Sequence, residues 1–203
     1  DLPNPSHIAF RQDIQHYRKA GILGFQTETR GAIATTFLNF HIRGQLMWNP
    51  DLDLDALFEE FYPKFYGPAA EPMRDYWTAL YRAWEDTIVT EHEYYVIPAI
   101  YTRDVVETLR NHLERGRAAV ASLREKTPGT LTRNEERYLE RMAFTEKSFA
   151  LIDLYTAMVR AAATECDYRN AAEIGRRMLQ ARLDLAALNS TFTTRVVGPA
   201  AEP

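Results

Sequence analysis

The sequence predicts a mainly α-helical fold, with a short βα element near its start and an antiparallel helical bundle after it. Three observations predict this. Apolar residues recur at three- and four-residue spacing through most of the 203 positions. Strand character is confined to one run, Ile22-Leu23-Gly24-Phe25-Gln26. Helix-start and helix-stop signals punctuate the remainder at short intervals.

The elements follow in order. Asn4-Pro5-Ser6 opens a helix with Ser6 as its cap, and Ile8, Phe10, Ile14 and Tyr17 form its apolar face. Gly21 ends it as a left-handed terminator. The Ile22–Gln26 run then reads as a strand, Thr27-Glu28-Thr29-Arg30-Gly31 as a polar loop, and Ala32 to Trp48 as a helix stopped by Asn49-Pro50. Helix, strand, loop, helix is the rhythm of an α/β unit with a parallel strand. Residues 1–50 are therefore assigned to this unit and residues 51–198 to a helical domain.

In that second part Asp53 caps a helix from Leu54 to Phe65, striped by Leu57, Phe58, Phe61 and Phe65. Gly67-Pro68 turns the chain into a helix from Ala69 to Ile88, with Met73, Tyr76, Trp77, Leu80, Tyr81 and Trp84 facing inward. Val89 to Pro98 reads as irregular or briefly extended. Three long helices follow: Thr102 to about Lys126, Thr132 to about Glu165, and Tyr168 to Leu188 capped by Asp167. Thr132 and Glu135 have the spacing of a capping box. Short connections make these helices up-and-down neighbours.

Composition narrows the function classes. An apolar fraction of 46% is that of a folded domain. A net charge of -4 argues against a general nucleic-acid binder, whose contact face is basic. No apolar run approaches the roughly 20 residues needed to span a bilayer. Cys166 is the single cysteine, so no intrachain disulfide is expected, and it reads as a buried or idle thiol near a helix end. The chain opens without Met and closes on Gly198-Pro199-Ala200-Ala201-Glu202-Pro203. It is expected to be a piece of a larger protein and to lack a complete active site.

The search for chemistry is mostly negative. No phosphate-binding glycine loop, dinucleotide fingerprint, nucleophile elbow or His-Glu-x-x-His motif occurs. Glu91-His92-Glu93 is the densest group of possible ligands, but neither helical nor extended backbone converges the three, so no metal site and no cofactor are assigned. The polar loop after Ile22–Gln26 is more informative, because the carboxyl end of a barrel strand carries the active site in βα-barrels. There Glu28 is the candidate acid, base or sugar-hydroxyl acceptor, and Gln26 and Arg30 are candidates to position an oxygen-rich ligand. The competing structural role for Glu28 is capping the helix that begins at Ala32. Aromatics crowd positions 58 to 101, and those at helical spacing read as core; Tyr94 and Tyr95, in the irregular stretch, are the candidates for stacking on a sugar.

Gly21-Ile22-Leu23-Gly24-Phe25-Gln26-Thr27-Glu28, then Leu46-Met47-Trp48-Asn49-Pro50-Asp51-Leu52-Asp53, then Phe65-Tyr66-Gly67-Pro68-Ala69-Ala70-Glu71-Pro72-Met73 come in this order. Over residues 5–100 the series resembles a bacterial domain family of unassigned function that accompanies glycoside-hydrolase-like proteins. In that family a TIM barrel related to the α-glucuronidase and β-hexosaminidase groups is followed by a helical region. The resemblance implies that residues 1–50 are the C-terminal βα portion of such a barrel, with Ile22–Gln26 one of its last strands and Glu28 on its catalytic face. It further implies a secreted or periplasmic bacterial protein, with the remainder of the barrel as partner and a carbohydrate as ligand. Glycoside hydrolysis commonly needs two carboxylates, and no second one is found, so the isolated chain is expected to be inactive. The alternative is a non-catalytic helical module that packs on another domain or forms a homo-oligomer. Neither nucleic acid nor a membrane is expected as a partner.

Overall fold

The computed structural model describes residues 7–26, 33–88, 93–126 and 129–193, with the backbone alone for residues 93–95. The fold is mainly helical. Its helices are α1 (His7–Lys19), α2 (Ile33–Trp48), α3 (Leu54–Tyr66), α4 (Ala70–Glu85), α5 (Glu93–Ile100), α6 (Arg103–Ala119), α7 (Ala121–Arg124), α8 (Arg133–Ala163) and α9 (Tyr168–Leu188). They divide between two compact units. One comprises residues 1–53 and 182–203, the other residues 54–181, so the boundary falls within α9.

In the first unit, Ile14 of α1 and Ala34, Leu38, Ile42 and Leu46 of α2 are buried, together with Leu185. The α2 positions repeat every four residues, so one face of the helix supplies them all. Arg43 lays its guanidinium over the Phe10 ring at 5.3 Å. α1 ends as expected at Gly21, which has φ +75°. The Ile22 N–H reaches the Tyr17 carbonyl at 3.1 Å and the Gly21 N–H reaches Arg18 at 3.2 Å, the paired bonds of a Schellman terminus.

Residues 22–26 correct the expectation of a strand. They are irregular, and among the described residues no β-strand and no βα element of a TIM barrel is seen. The physical reason is pairing: a strand's backbone donors and acceptors need a neighbouring strand, and the described residues offer none. Leu23 is fully exposed and Ile22 is 46% exposed. Only Phe25 has ring neighbours, Phe10 at 5.9 Å and Tyr17 at 5.0 Å.

The second unit is a helical bundle whose long-range pairs set helix directions. Arg115 of α6 reaches Glu71 and Asp75 near the start of α4, while Trp84 near its end donates to Tyr101 just before α6. Those two helices are therefore antiparallel. Arg110, Arg117, Arg124 and Lys126 meet Asp153, Glu146 and Glu135 in descending order along α8, so α8 returns against α6 and α7. Gly116 lies at the crossing: a Cβ there would come within 3.0 Å of both Met73 and Met142, so the glycine lets α4, α6 and α8 approach. α9 packs back on α8 through Ala171 and Ile174 against Ala161, with Met158 half-buried beside them.

Three capping signals are realised. Thr102 accepts the Val105 N–H. Thr132 and Glu135 form the reciprocal capping box. Asp167 accepts the Asn170 N–H at 3.0 Å. Three expectations need correcting, and a fourth is narrowed. The Val89–Pro98 stretch was expected to be irregular, yet Glu93–Ile100 is helical. The helix from Thr102 breaks at Val120, whose φ of -101° and ψ of 6° leave the helical region. In α3 the deeply buried residues are Leu54, Tyr62 and Tyr66, whereas Leu57, Phe58, Phe61 and Phe65 are half-buried. Cys166 is exposed, which removes the buried alternative and leaves that of an idle thiol, and its φ is +53°, because the chain doubles back there and the Asp167 N–H closes onto the Ala161 carbonyl.

The core of this unit contains a directed polar chain. Thr145 donates to the Arg141 carbonyl at 2.8 Å, so its oxygen accepts from Tyr66 at 3.1 Å, and Tyr66 in turn accepts the Trp77 indole N–H at 3.0 Å. Each buried group has its partner, which removes the penalty of placing hydroxyls in the core. Burial pushes the Tyr66 phenol up to about 12, so the hydroxyl stays neutral and donates.

Candidate functional site

The residues singled out in sequence do not converge on one described site. Gln26 is exposed at the end of the irregular segment. Glu28 and Arg30 lie outside the described residues. Tyr94 and Tyr95 lie on the first turn of α5, not in an irregular stretch, and their side chains are outside the description. Of the acidic-histidine cluster, Glu93 opens α5 and Glu91 and His92 lie outside the described residues. Among the described residues there is no group of three or more His, Cys, Asp or Glu that could hold a metal ion. No helix there is long and apolar enough to cross a membrane.

The start of α2 bears on Glu28. The Ile33 and Ala34 N–H groups are taken by the Thr191 and Phe192 carbonyls, each at 3.1 Å. The turn presenting these carbonyls is ordered by Asn189, whose side-chain oxygen accepts the Thr191 N–H at 3.0 Å and its hydroxyl at 2.8 Å. Backbone at residues 191 and 192 thus satisfies two donors at the start of α2, the donors open to a capping Glu28 in the competing structural role.

Of the aromatics that their spacing assigns to the core, Tyr76, Trp77 and Tyr81 are buried, and Phe58, Phe61, Phe65 and Trp84 are half-buried. Tyr62, Tyr66 and Tyr101 are buried as well, and Trp84 donates its N–H to the Tyr101 hydroxyl at 3.1 Å.

The described residues form polar grooves that the sequence pattern alone does not reveal, among them one in each unit. The first lies in the N-terminal unit and measures about 500 Å³. Ile8, Arg11, Gln12 and Gln15 line it from α1, where their spacing places them on one helix face, and Pro50, Asp51 and Leu52 complete it. The motif Asn49-Pro50-Asp51 builds that wall. The Asn49 side chain accepts the Asp51 N–H at 3.2 Å and its carbonyl accepts the Leu52 N–H at 3.1 Å, which folds the turn. Asp51 then accepts Arg18 at 2.7 Å on one oxygen and Gln15 at 3.2 Å on the other, and Gln15 also donates to the Pro50 carbonyl. The Arg18 hydrogen bond, followed by that of Gln15, holds the Asp51 carboxyl below the usual carboxylate range. The signal that could have revealed this wall was the polar row Arg11, Gln12, Gln15 at helical spacing, opposite the apolar face of α1.

The second groove, about 310 Å³, lies between α6 and α8 and is lined by Arg103, Arg110 and Arg160 with Asp104, Glu107 and Asp153. Arg110 binds Asp153 at 2.8 Å and also pairs with Glu107. The three cations face three anions, so the groove is balanced internally and ties the two helices together.

Neither the curated proteins nor the solved structures yield a match to this chain. Residues 2–78, which include the groove of the N-terminal unit, both glycine-containing motifs and the Asn-Pro-Asp turn, match the model of the family described as Domain of unknown function (DUF4838).

Proposed function

We propose that this chain is the C-terminal part of a glycoside-hydrolase-like, carbohydrate-active protein, in which it completes the end of a barrel, contributes Glu28 and supports the barrel with helices. The observation that carries the reading is the exposed apolar run at residues 22–25. Leu23 is fully exposed and Ile22 nearly half exposed, immediately before the polar segment containing Gln26 and Glu28. An apolar run of strand composition in that state is suited to pair with a neighbouring strand and be covered by it. The occupied N–H groups of Ile33 and Ala34 support a role for Glu28 other than capping those donors. The resemblance supplies the substrate class, and fold-level analogy supplies no more than that. A non-catalytic packing module is the competing reading, and the same exposed run would serve it.

The test is a glycosidase screen of the full-length parent protein with and without Glu28→Gln, at matched folding by circular dichroism. The expected result is hydrolysis that falls by at least about a hundredfold in the variant, the scale of a lost general acid or base. Undiminished hydrolysis removes Glu28 from catalysis. No hydrolysis in either protein favours the packing module.

A further inference from the structure

We propose that the groove between α1 and the Asn49–Leu52 turn is a carbohydrate subsite that holds a sugar ring by its hydroxyls. The proposal rests on the carbohydrate reading above for its ligand class and on the groove itself for its place. Four features carry it.

The groove's volume of about 500 Å³ falls within the usual range for small-molecule sites. Its polar wall is planar and bifunctional. Arg11 offers a fork of donors, Gln12 offers both a donor and an acceptor, and Asp51 offers an acceptor whose position is held by Arg18 and Gln15. A sugar presents adjacent hydroxyls that each donate and accept, and such planar side chains can engage two neighbours at once. Its remaining wall is apolar. Ile8 is 44% exposed, and Pro50 and Leu52 complete a surface for the C–H face of the ring.

The fourth feature is the division of labour among these groups. Gln15 and Arg18 are committed to the turn, whereas Arg11 and Gln12 are exposed and, among the described residues, have no hydrogen bond or ion pair. The turn is therefore ordered without drawing on the two side chains best placed to bind. That arrangement reduces the ordering cost of binding at the acceptor side. The groove between α6 and α8 differs, because its Arg110 is committed to Asp153 and Glu107 and its Arg103 to Glu165.

The ligand chemistry is a hydroxylated ring, and it can come from a neutral or a uronic sugar. Saturation-transfer NMR on the 203-residue chain, with a panel of neutral oligosaccharides and a matched panel of uronic oligosaccharides, separates the two. Binding is expected to weaken by about fivefold to tenfold in Gln12→Ala and in Arg11→Ala, the scale of one lost hydrogen bond. Arg11→Lys should restore a neutral ligand less well than a uronic one, because it keeps the charge and loses the fork. Both substituted positions are exposed, so folding is expected to persist. Transfer to no member of either panel, or transfer that both alanine variants leave unchanged, overturns the subsite. The two proposals fail separately. Hydrolysis lost in Glu28→Gln with no groove binding sinks the subsite alone, and groove binding with no hydrolysis in the parent sinks the enzyme reading alone.

Discussion

Gly67 illustrates how much a single position in this chain can carry. Its φ is +56°, and a Cβ there would lie 2.5 Å from the Tyr138 ring. Gly67→Ala therefore meets two costs, the left-handed backbone and the clash. We expect a loss of about 3 kcal/mol in chemical denaturation, from ~1–2 for the conformation and ~1–3 for overpacking. Tyr138→Ala in the same background should recover the packing part and leave the backbone part. The presence of a tight Gly-Pro turn was legible in the sequence. The clash was not, because Tyr138 is distant along the chain and only tertiary packing brings its ring to the turn. Cys166 is the converse case: nothing in its neighbours announced that a non-glycine residue would occupy φ +53°.

At the scale of elements, helix ends were the most readable feature, because caps are local chemistry. Thr102, Thr132 with Glu135, Asp167 and Gly21 all act within a few residues of themselves. Thr132→Ala should cost about 1 kcal/mol in the same denaturation measurement, since the Glu135 N–H loses its acceptor while Glu135 keeps its bond to the Thr132 N–H. An unchanged midpoint would mean that the box contributes nothing beyond solvent. The strand expected at Ile22–Gln26 failed for the opposite reason. Strand existence depends on a partner, and no local pattern supplies one. The apolar pattern that suggested it is real, and it appears as exposed side chains. The helix α5 holds Pro98 inside it, a residue that locally disfavours helix, so its helical state is not legible from local pattern. α8 was readable in extent but not in role. Its buried residues, including Met142, Phe144, Phe149, Leu151 and Ile152, are spread around more than one face, as befits a helix that other elements contact on several sides.

Across the whole molecule, acid stability joins the two units' chemistry in one measurement. Burial lowers the His7 imidazole from its ordinary 6.5 to about 4. Between those values the unfolded chain binds more protons than the folded one, so stability rises with pH there and is lost as pH falls from about 6.5 to about 4. Glu135 is held down to about 2, by Lys126 first and then by Thr132. Its contribution is present above the ordinary 4.5 and is lost as pH falls from there towards 2. Denaturation midpoints measured against pH should therefore fall through two adjoining windows. Replacing His7 with Gln should make the upper one shallower and spare the lower, the remainder coming from His41, whose imidazole pKa burial also lowers; Glu135→Gln should do the reverse, leaving the share of Asp51 and Glu60. A wild-type-like upper slope in the His7 variant would assign that window to other groups.

By itself the sequence determined the helical class, most helix boundaries, the caps at Thr102, Thr132 and Asp167 and part of the aromatic core, because each follows from periodicity or from contacts within a turn. It also limited the chemistry by what its motifs lack. Tertiary structure decided which turns have no alternative residue, that Ile22–Gln26 is not a strand among the described residues, and that backbone from residues 191 and 192 closes the start of α2. It also decided that the polar row of α1 meets the Asn-Pro-Asp turn to form a groove. Those outcomes depend on groups far apart in the chain, and local pattern cannot say which distant surfaces will meet.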